Sequence, residues 1–310
     1  MADLMLSLVA QRYFLEDRSK VQIADEIGVS RFRVARMLEQ ARELGIVRIS
    51  VDAPPDVDFD ASRRLAEQYD LRQALVLTGV DGDPDRTRAQ LGRACSSLLT
   101  ERLTDTDVLG VSWGRTLHAL AQVVGPLPRC DVVQMVGTVP AVDLGLNSMD
   151  LVRRIGEATG GTIHALHAPM VVDSPDLASA LRESGVVRST TEMFSRITCA
   201  LVGIGSWQQD RSSVEAALPD DVAARAAAAG ALADICSTVL DANGSVISDP
   251  RVADWCVSIT TDQLCQIPHV IAIAGGAEKA PAIAAALRAG LVHTLITDHA
   301  AAHVLLGSDS

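Results

Sequence analysis

Two short apolar patterns occur in residues 23–38, IADEIGVSRFRVARML, on either side of a Gly-Val-Ser corner. Ala24, Gly28 and Val34 have the spacing A-x3-G-x5-V, which is typical of a helix-turn-helix. A small residue permits a close helix crossing, and glycine adopts the left-handed conformation of the turn at low cost. Ser30 is the predicted N-cap of the second helix. The predicted shared core of the two helices comprises Ile23, Ile27, Val29, Val34 and Leu38.

Arginine side chains are concentrated on the second of these helices. Arg31, Arg33 and Arg36 fall in its first two turns, the positions that meet base edges and phosphates when such a helix enters the major groove of DNA. With Ser30 they form the predicted DNA-binding set. The alternative is an ordinary helical hairpin with a solvated basic face. The following segment GIVRISV (45–51) is predicted to be a strand of a small wing, which favours DNA binding.

From about residue 59 the pattern changes, and apolar strand-like runs alternate with helical segments. This alternation predicts an α/β domain with a mostly parallel sheet covered by helices. The clearest predicted strands are 108–113, 132–137, 197–205, 270–276 and 292–297, and the clearest helices are 115–124, 148–160, 220–230 and 278–290. Pro54 and Pro55 mark a stiff linker between the two patterns. The predicted division is therefore a helix-turn-helix domain at 1–52, a linker at 53–58 and a large domain at 59–310.

Charge separates these two parts. The net charge of the 310-residue chain is −12, but residues 1–52 contain eight Lys/Arg and eight Asp/Glu. The large domain thus carries the excess negative charge, which argues against nonspecific polyanion binding by the whole molecule. A hydrophobic fraction of 48% supports a large core. No apolar run approaches the roughly 18 residues of a membrane span, and no secretory signal pattern is present, so a cytoplasmic protein without membrane association is expected. Six cysteines without a C-x-x-C pair are expected to be reduced thiols.

Three loops that follow predicted strands contain chemistry suited to an anion. Ser112, Gly114, Arg115 and Thr116 combine hydroxyls, a cation and a flexible backbone at the start of a predicted helix. Gly275, Gly276 and Lys279 repeat this combination, and residues 203–206 form a third glycine-rich turn. Ligands of open α/β sheets bind at such loops. None of the loops has the nucleotide-binding pattern for ATP or NAD, so no cofactor is predicted.

Two carboxylates are candidates for binding sugar hydroxyls. Asp298 is interpreted as an N-cap of the last helix, whereas Asp234 has no evident helix to cap and is the stronger candidate. The histidines have no metal-ligand spacing and no Ser–His–Asp pattern is found, so neither a metal site nor catalytic residues are predicted. Trp113, Trp207 and Trp255 are predicted to be core residues.

The order of motifs GVSWGRT, VVQMVG, ALVGIG, GALADICSTVLDANG, AGGAEKAPAIAAALRAG and LITD, after an N-terminal helix-turn-helix, resembles the SorC/DeoR-type sugar-responsive bacterial transcriptional regulators. The resemblance covers nearly the whole chain. It implies a winged-helix-like DNA-binding domain, a Rossmann-like effector domain similar to sugar-phosphate isomerases and glucosamine-6-phosphate deaminase, and assembly into dimers or tetramers.

The same resemblance implies roles for individual residues. Ser112, Gly114, Arg115 and Thr116 would hold a phosphate together with Lys279, and Asp234 would be the acidic sugar ligand. Gln134, Gly137 and Asn147 would line the neighbouring loop, and Gly275 and Gly276 would complete the effector site. The chain departs from the family at Trp113, since several phosphosugar-sensing relatives have a Gly-Thr-Thr-like turn there, and GALAD lacks the second glycine usual before the acid.

The favoured hypothesis is a regulator whose binding to double-stranded operator DNA depends on a small sugar, polyol or sugar phosphate. The main alternative is a sugar-phosphate isomerase or deaminase with an accessory DNA-binding segment. A scaffold that binds a protein through the basic N-terminal face is a third possibility. An enzyme would need a positioned acid/base pair, which the sequence does not show. The effector, the operator and the choice between dimer and tetramer stay open.

Overall fold

The structure is a computed structural model that describes residues 2–47, 56–79, 83–139, 148–207 and 212–307. The chain separates into two compact units, Met1–Ala53 and Pro54–Ser310. Each unit has a hydrophobic core of its own. Among the described residues, no helix is long and apolar enough to cross a membrane.

The first unit contains three helices, α1 (Ala2–Phe14), α2 (Lys20–Ile27) and α3 (Arg31–Glu43). As predicted, Gly28 adopts the left-handed conformation (φ 68°), and its N–H donates to the carbonyl of Ala24. The hydroxyl of Ser30 accepts a hydrogen bond from the N–H of Arg33, which confirms the predicted cap of α3. Of the five predicted core residues, Ile23, Val34 and Leu38 are buried, while Ile27 and Val29 are partly buried. The predicted wing strand lies mainly outside the described residues.

The second unit contains a seven-stranded sheet with the order β1-β10-β9-β5-β2-β3-β4, in which all pairings are parallel. This confirms the predicted α/β class. A second, three-stranded antiparallel sheet has the order β6-β7-β8. The strands are β1 (Gln73–Leu77), β2 (Val108–Val111), β3 (Asp131–Gln134), β4 (Ile163–His164), β5 (Cys199–Val202), β6 (Gly205–Ser206), β7 (Ala233–Ile235), β8 (Thr238–Leu240), β9 (His269–Ile273) and β10 (Thr294–Asp298).

Helices follow most strands of the parallel sheet, which is the crossover that parallel pairing requires. The helices described in the second unit are α4 (Phe59–Gln68), α5 (Pro84–Arg102), α6 (Arg115–Val123), α7 (Ser148–Thr159), α8 (Pro175–Glu183), α9 (Gly185–Thr191), α10 (Ser213–Ala217), α11 (Asp220–Ala228), α12 (Thr261–Cys265), α13 (Ala280–Arg288) and α14 (His299–Leu305). Short 3₁₀ turns occur at Glu192–Arg196, Val252–Trp255 and Ala277–Lys279. The central strands β2, β5 and β9 are fully buried, as expected for a sheet covered on both faces.

The predicted strand at 197–205 is wrong as a single element. It divides into β5, which belongs to the parallel sheet, and β6, which pairs with β7 in the small antiparallel sheet. Gly203 lies at the break, where a Cβ atom would lie 2.9 Å from the carbonyl oxygen of Trp113. The chain therefore turns away from the large sheet at a point where only glycine permits the close approach. This turn brings Asp234, on β7, toward the carboxyl edge of the sheet.

Candidate functional site

Strands β2, β5 and β9 are adjacent and parallel, so the loops that follow them meet at one edge of the sheet. A pocket of about 110 Å³ opens there. Six of the residues predicted to bind an effector line it, namely Ser112, Gly114, Arg115, Thr116, Asp234 and Lys279. Residues that lie up to 167 positions apart in the sequence thus form one site, at the edge where open α/β folds bind their ligands.

The loop from Ser112 to Thr116 is anchored at its start and open at its end. The N–H of Ser112 donates to the carbonyl of Leu201 at 2.9 Å, which holds the loop against β5. Gly114 occupies the N-cap of α6 and has no side chain to accept from the N–H groups of the first helical turn. These groups and the positive end of the helix dipole favour an anion, and Arg115 adds a formal charge beside them.

Asp234 also lines the pocket and is 7% exposed. Its Oδ1 accepts a hydrogen bond from Trp207 Nε1 at 3.0 Å. Burial raises the pKa of Asp234, while hydrogen bonds from Ser212 and Trp207 and the charge of Lys279 act in the opposite direction. These partners orient the carboxyl group, which is a suitable acceptor for ligand hydroxyls.

Lys279 is positioned by the glycine-rich turn after β9. Its Nζ donates to the carbonyl of Ile204 at 3.4 Å. The N–H of Gly276 donates to Oδ2 of Asp298 at 2.7 Å, and Oδ1 of Asp298 accepts from Ala301 N at 2.7 Å. Asp298 therefore caps α14, as predicted, and also fastens the turn that carries Lys279.

The two glycines of that turn, predicted to bind the effector, are not among the described residues that line the pocket. A Cβ atom at Gly275 would lie 2.5 Å from Oδ2 of Asp298, so glycine is needed for the packing of the turn. Gly276 has φ 100°, a conformation that side chains disfavour. Both residues shape the loop that precedes Lys279.

The interpretation of Gln134 and Gly137 as pocket residues is not supported by their positions. Gln134 is 1% exposed, its Nε2 donates to the carbonyl of Val136, and its Oε1 accepts from the N–H of Leu166. A Cβ atom at Gly137 would lie 2.6 Å from the backbone of Ala168 and Pro169. Both residues hold the backbone after β3 and are absent from the described pocket lining. Asn147 lies outside the described residues.

Several pocket residues were not predicted from the sequence. They are Arg88, Ser212, Ser213, Ser237 and Glu278, whereas residues 203–206, the third predicted loop, do line it. Trp113, predicted to be a core residue, also lines the pocket, and its Nε1 donates to Ser213 Oγ at 3.1 Å. Trp207 is buried as predicted, and its indole N–H donates a hydrogen bond to Asp234 in the pocket lining. These contacts join residues roughly 30 to 100 positions apart, so no local sequence pattern predicts them.

The turn between β7 and β8 is unusual for its residue types. Cys236 (φ 50°) and Ser237 (φ 71°) both adopt left-handed conformations, which tight hairpins normally assign to Asn-Gly or Gly-Gly. Both residues line the pocket, and the Oγ atoms of Ser237 and Ser258 are 2.5 Å apart. Burial raises the pKa of Cys236 to about 12, so this thiol is protonated at neutral pH and is no nucleophile. Within the described ranges, no group of three His, Cys, Asp or Glu could hold a metal ion.

In the first unit, the outward face of the N-terminal half of α3 is exposed. Arg31, Arg33 and Arg36 are solvent-exposed, and the guanidinium of Arg31 lies 4.9 Å from the ring centroid of Phe32, which is 69% exposed. Such a basic, uncovered helix surface is available to a polyanion.

Known proteins resemble this chain over most of its length. The model of the family described as "Putative sugar-binding domain" matches residues 54–307. The sorbitol operon regulator of Klebsiella pneumoniae is 28% identical over 314 residues, covering 96% of this chain and 96% of that protein. The deoxyribonucleoside regulator of Bacillus subtilis is 28% identical over 305 residues, covering 97% of each. The crystal structure of the full-length sorbitol operon regulator SorC from K. pneumoniae has a TM-score of 0.82 at 25% identity, covering 97% of this chain and 98% of that one. The chain therefore belongs to the sugar-binding domain family of SorC/DeoR-type transcriptional regulators.

Proposed function

We propose that this protein is a DNA-binding transcriptional regulator whose operator affinity is set by a small sugar, polyol or sugar phosphate. The observation that carries the proposal is the pocket at the carboxyl edge of the sheet. Its lining includes a carboxyl group, Asp234, together with Arg115 and Gly114 at the start of α6, where no side chain caps the helix. A polyhydroxylated molecule with an anionic end has complementary chemistry at both ends.

We assign roles within this pocket by chemistry. Asp234 accepts hydrogen bonds from ligand hydroxyls, and Ser112 and Thr116 contribute hydroxyl groups beside the anion. Arg115 and Lys279 supply the charge that a phosphate would need. Gly114 leaves the first N–H groups of α6 accessible. Gly275 and Gly276 support Lys279 without touching the ligand.

The first unit supplies the proposed DNA contact as a helix-turn-helix. The left-handed Gly28 between α2 and α3, the cap at Ser30 and the exposed Arg31, Arg33 and Arg36 support this assignment. The proposal also includes a wing after Gly45, an end of the DNA-binding domain at residue 52 and a linker at 53–58. One such motif reads only a few base pairs, so we expect a homodimer or homotetramer on a pseudo-palindromic operator. A regulator of this kind acts in the cytoplasm.

Regulation requires that the effector favour one quaternary arrangement over another, since a ligand with equal affinity for two states shifts nothing. The relatives named above are transcriptional regulators, and the pocket is accordingly a sensor rather than an active site. The isomerase-like alternative would predict turnover of a bound sugar phosphate, and the regulator predicts none.

The test measures the two activities separately. The protein is used to select duplexes from a randomised pool, and binding of the recovered duplex is followed by fluorescence anisotropy at fixed salt. Pentose, hexose and polyol phosphates are screened by thermal shift, where a ligand at 100 times its Kd should stabilise the protein by about 2.7 kcal/mol. Arg36→Ala should weaken DNA binding and keep the effector shift. Asp234→Ala should lose the effector shift and keep DNA binding.

Arg63→Ala serves as the charge-matched control, because Arg63 is exposed on α4 and pairs there with Asp60 and Glu67. It should change neither readout. Failure to recover any preferred duplex would contradict the DNA-binding function, and steady turnover of a screened phosphate would favour the enzyme.

A further inference from the structure

The helix α3 has an inward face that is set by its buried residues. Val34, Leu38 and Ala41 are 0%, 5% and 0% exposed and recur at intervals of four and three. At 3.6 residues per turn, successive side chains are about 100° apart around the helix axis. These three residues therefore fall within a narrow sector, and the centre of the outward face lies opposite Val34.

Two side chains occupy that outward centre in the N-terminal half of the helix. Phe32 and Arg36 each lie about 160° from Val34, in opposite directions, so they are neighbours one turn apart. Arg33 lies only about 100° from Val34 and therefore projects from the flank. An aromatic side chain therefore shares the outward centre of the helix with an arginine, and both would be presented to a groove.

Phe32 is also exposed to an extent that its chemistry does not explain within the monomer. It is 69% exposed and stands on the second residue of α3. Burial of a phenylalanine side chain is favourable in free energy relative to its exposure to water. This free energy is left available for a binding partner.

The neighbouring arginine gives the ring a defined environment. The guanidinium of Arg31 lies 4.9 Å from the ring centroid, within the range of a cation–π contact. The pair combines an apolar surface, the ring of Phe32, with a positive charge, the guanidinium of Arg31, that would attract a phosphate group. A second protein chain would gain little from a phenylalanine set among Arg31, Arg33 and Arg36, whereas a DNA duplex matches both properties.

We infer that Phe32 reads the C5 methyl group of thymine in the major groove and thereby sets part of the operator sequence. Among base edges of the major groove, the thymine methyl is the apolar group, and phenylalanine is one of the side chains that contact it. Residues at the N-terminus of a recognition helix are those that reach base edges. The inference rests on the proposed DNA-binding function and deepens it, since it names a base-specific contact.

The experiment removes a single methyl group from the DNA. A duplex recovered from the randomised pool by the wild-type protein is resynthesised with deoxyuridine in place of thymidine, one half-site position at a time. Deoxyuridine keeps base pairing and lacks only the C5 methyl. At one position, the wild-type protein should bind the uracil duplex about fourfold more weakly, the loss expected for one buried group of methyl size.

Phe32→Ala should bind the thymine duplex more weakly than the wild type and should bind the thymine and uracil duplexes equally. Phe32→Leu, which keeps an apolar side chain, should restore part of the discrimination. Phe59→Ala is the matched control, because Phe59 is 78% exposed in the other unit and should leave the discrimination at fourfold. Since both phenylalanines are exposed, neither variant should change the melting temperature appreciably.

The outcomes separate the inference from the function on which it rests. If no duplex is preferred over random DNA, the proposed function itself fails. If a preferred duplex is found and Phe32→Ala weakens binding to the thymine and uracil duplexes equally, the thymine–uracil difference is unchanged. The methyl contact is then refuted. A change of oligomeric state in Phe32→Ala with unchanged DNA discrimination would assign the ring to a protein interface and also overturn the inference.

Discussion

Gly205 is the position at which a single methyl group should disturb the candidate site. It pairs with Asp234 across the antiparallel strands β6 and β7. A Cβ atom built at Gly205 would lie 2.2 Å from Oδ1, 2.7 Å from Cγ and 2.8 Å from Oδ2 of Asp234. All three of its nearest neighbours therefore belong to the carboxyl group that we assign to ligand hydroxyls.

The size of the effect follows from how little this carboxyl group can move. The shortest approach is well below 3.0 Å, a separation that real Cβ atoms essentially never go under. Asp234 is 7% exposed and is held by Trp207, so it cannot swing into solvent. Overpacking of this kind typically costs about 1–3 kcal/mol. At roughly 2–4 °C per kcal/mol for a domain of this size, Gly205→Ala should lower the melting temperature by roughly 2–12 °C.

A double-mutant cycle on the effector-free protein isolates this contact. Asp234→Ala removes the three atoms nearest to the new methyl group, so Gly205→Ala should cost about 1–3 kcal/mol less in that background than in the wild type. Melting temperature and urea unfolding provide the four free energies of unfolding. If the two costs are equal within about 0.5 kcal/mol, the carboxyl group does not occupy the space beside Gly205, and the described geometry of the site is refuted.

Three further predictions concern charge. Burial raises the pKa of Asp234, so the folded chain binds the carboxyl proton more tightly than the unfolded chain does. The ionised carboxyl group therefore destabilises the folded state. This destabilisation is absent below the unfolded pKa of about 4 and grows as pH rises toward the folded pKa. Asp234→Asn should therefore gain stability relative to the wild type as pH is raised from 4 to 8 in urea titrations, and a pH-independent difference would contradict the assignment. Lys279→Ala should weaken a phosphorylated effector far more than its unphosphorylated parent in calorimetry, because only the former uses the charge; equal losses would place the anion elsewhere. Arg33→Ala, on the flank of α3, should weaken specific and random duplexes alike and lower the salt dependence of log K by about 1, whereas a loss confined to the specific duplex would make Arg33 a base contact.

Local sequence patterns were sufficient for several of the elements and for some of their boundaries. The spacing of Ala24, Gly28 and Val34 predicted the paired helices, since a close crossing and a left-handed turn each demand a particular residue type over a few positions. The cap at Ser30 and the cap at Asp298 were predictable for the same reason, because a cap is a contact between a side chain and a backbone N–H three residues away. Alternating apolar runs likewise predicted a mostly parallel sheet.

Most pocket residues that the sequence predicted lie in loops after strands, and Asp234, on β7, is the exception. Ser112, Arg115 and Lys279 were identified in this way, because parallel strands deliver their carboxyl ends to one edge. The same reasoning also selected Gln134, which the described pocket lining does not include and whose amide bonds to the backbone at Val136 and Leu166. A side chain's partners at a distance of 32 residues cannot be read from its neighbours in the sequence.

Tertiary structure alone decided how the pocket closes. The break at Gly203 sends β6 to pair with β7, and that pairing sets Asp234 beside Gly205 and within reach of the indole of Trp207. It also places Cys236 and Ser237 in the lining of the pocket. Both residues have left-handed conformations that their residue types do not favour. A sequence specifies such an arrangement only through the sum of long-range packing, because no short-range preference of these residues would select it. Local chemistry therefore defined the strand-end loops and the basic helix, and the long-range pairing of β6 with β7 determined which buried groups face a ligand.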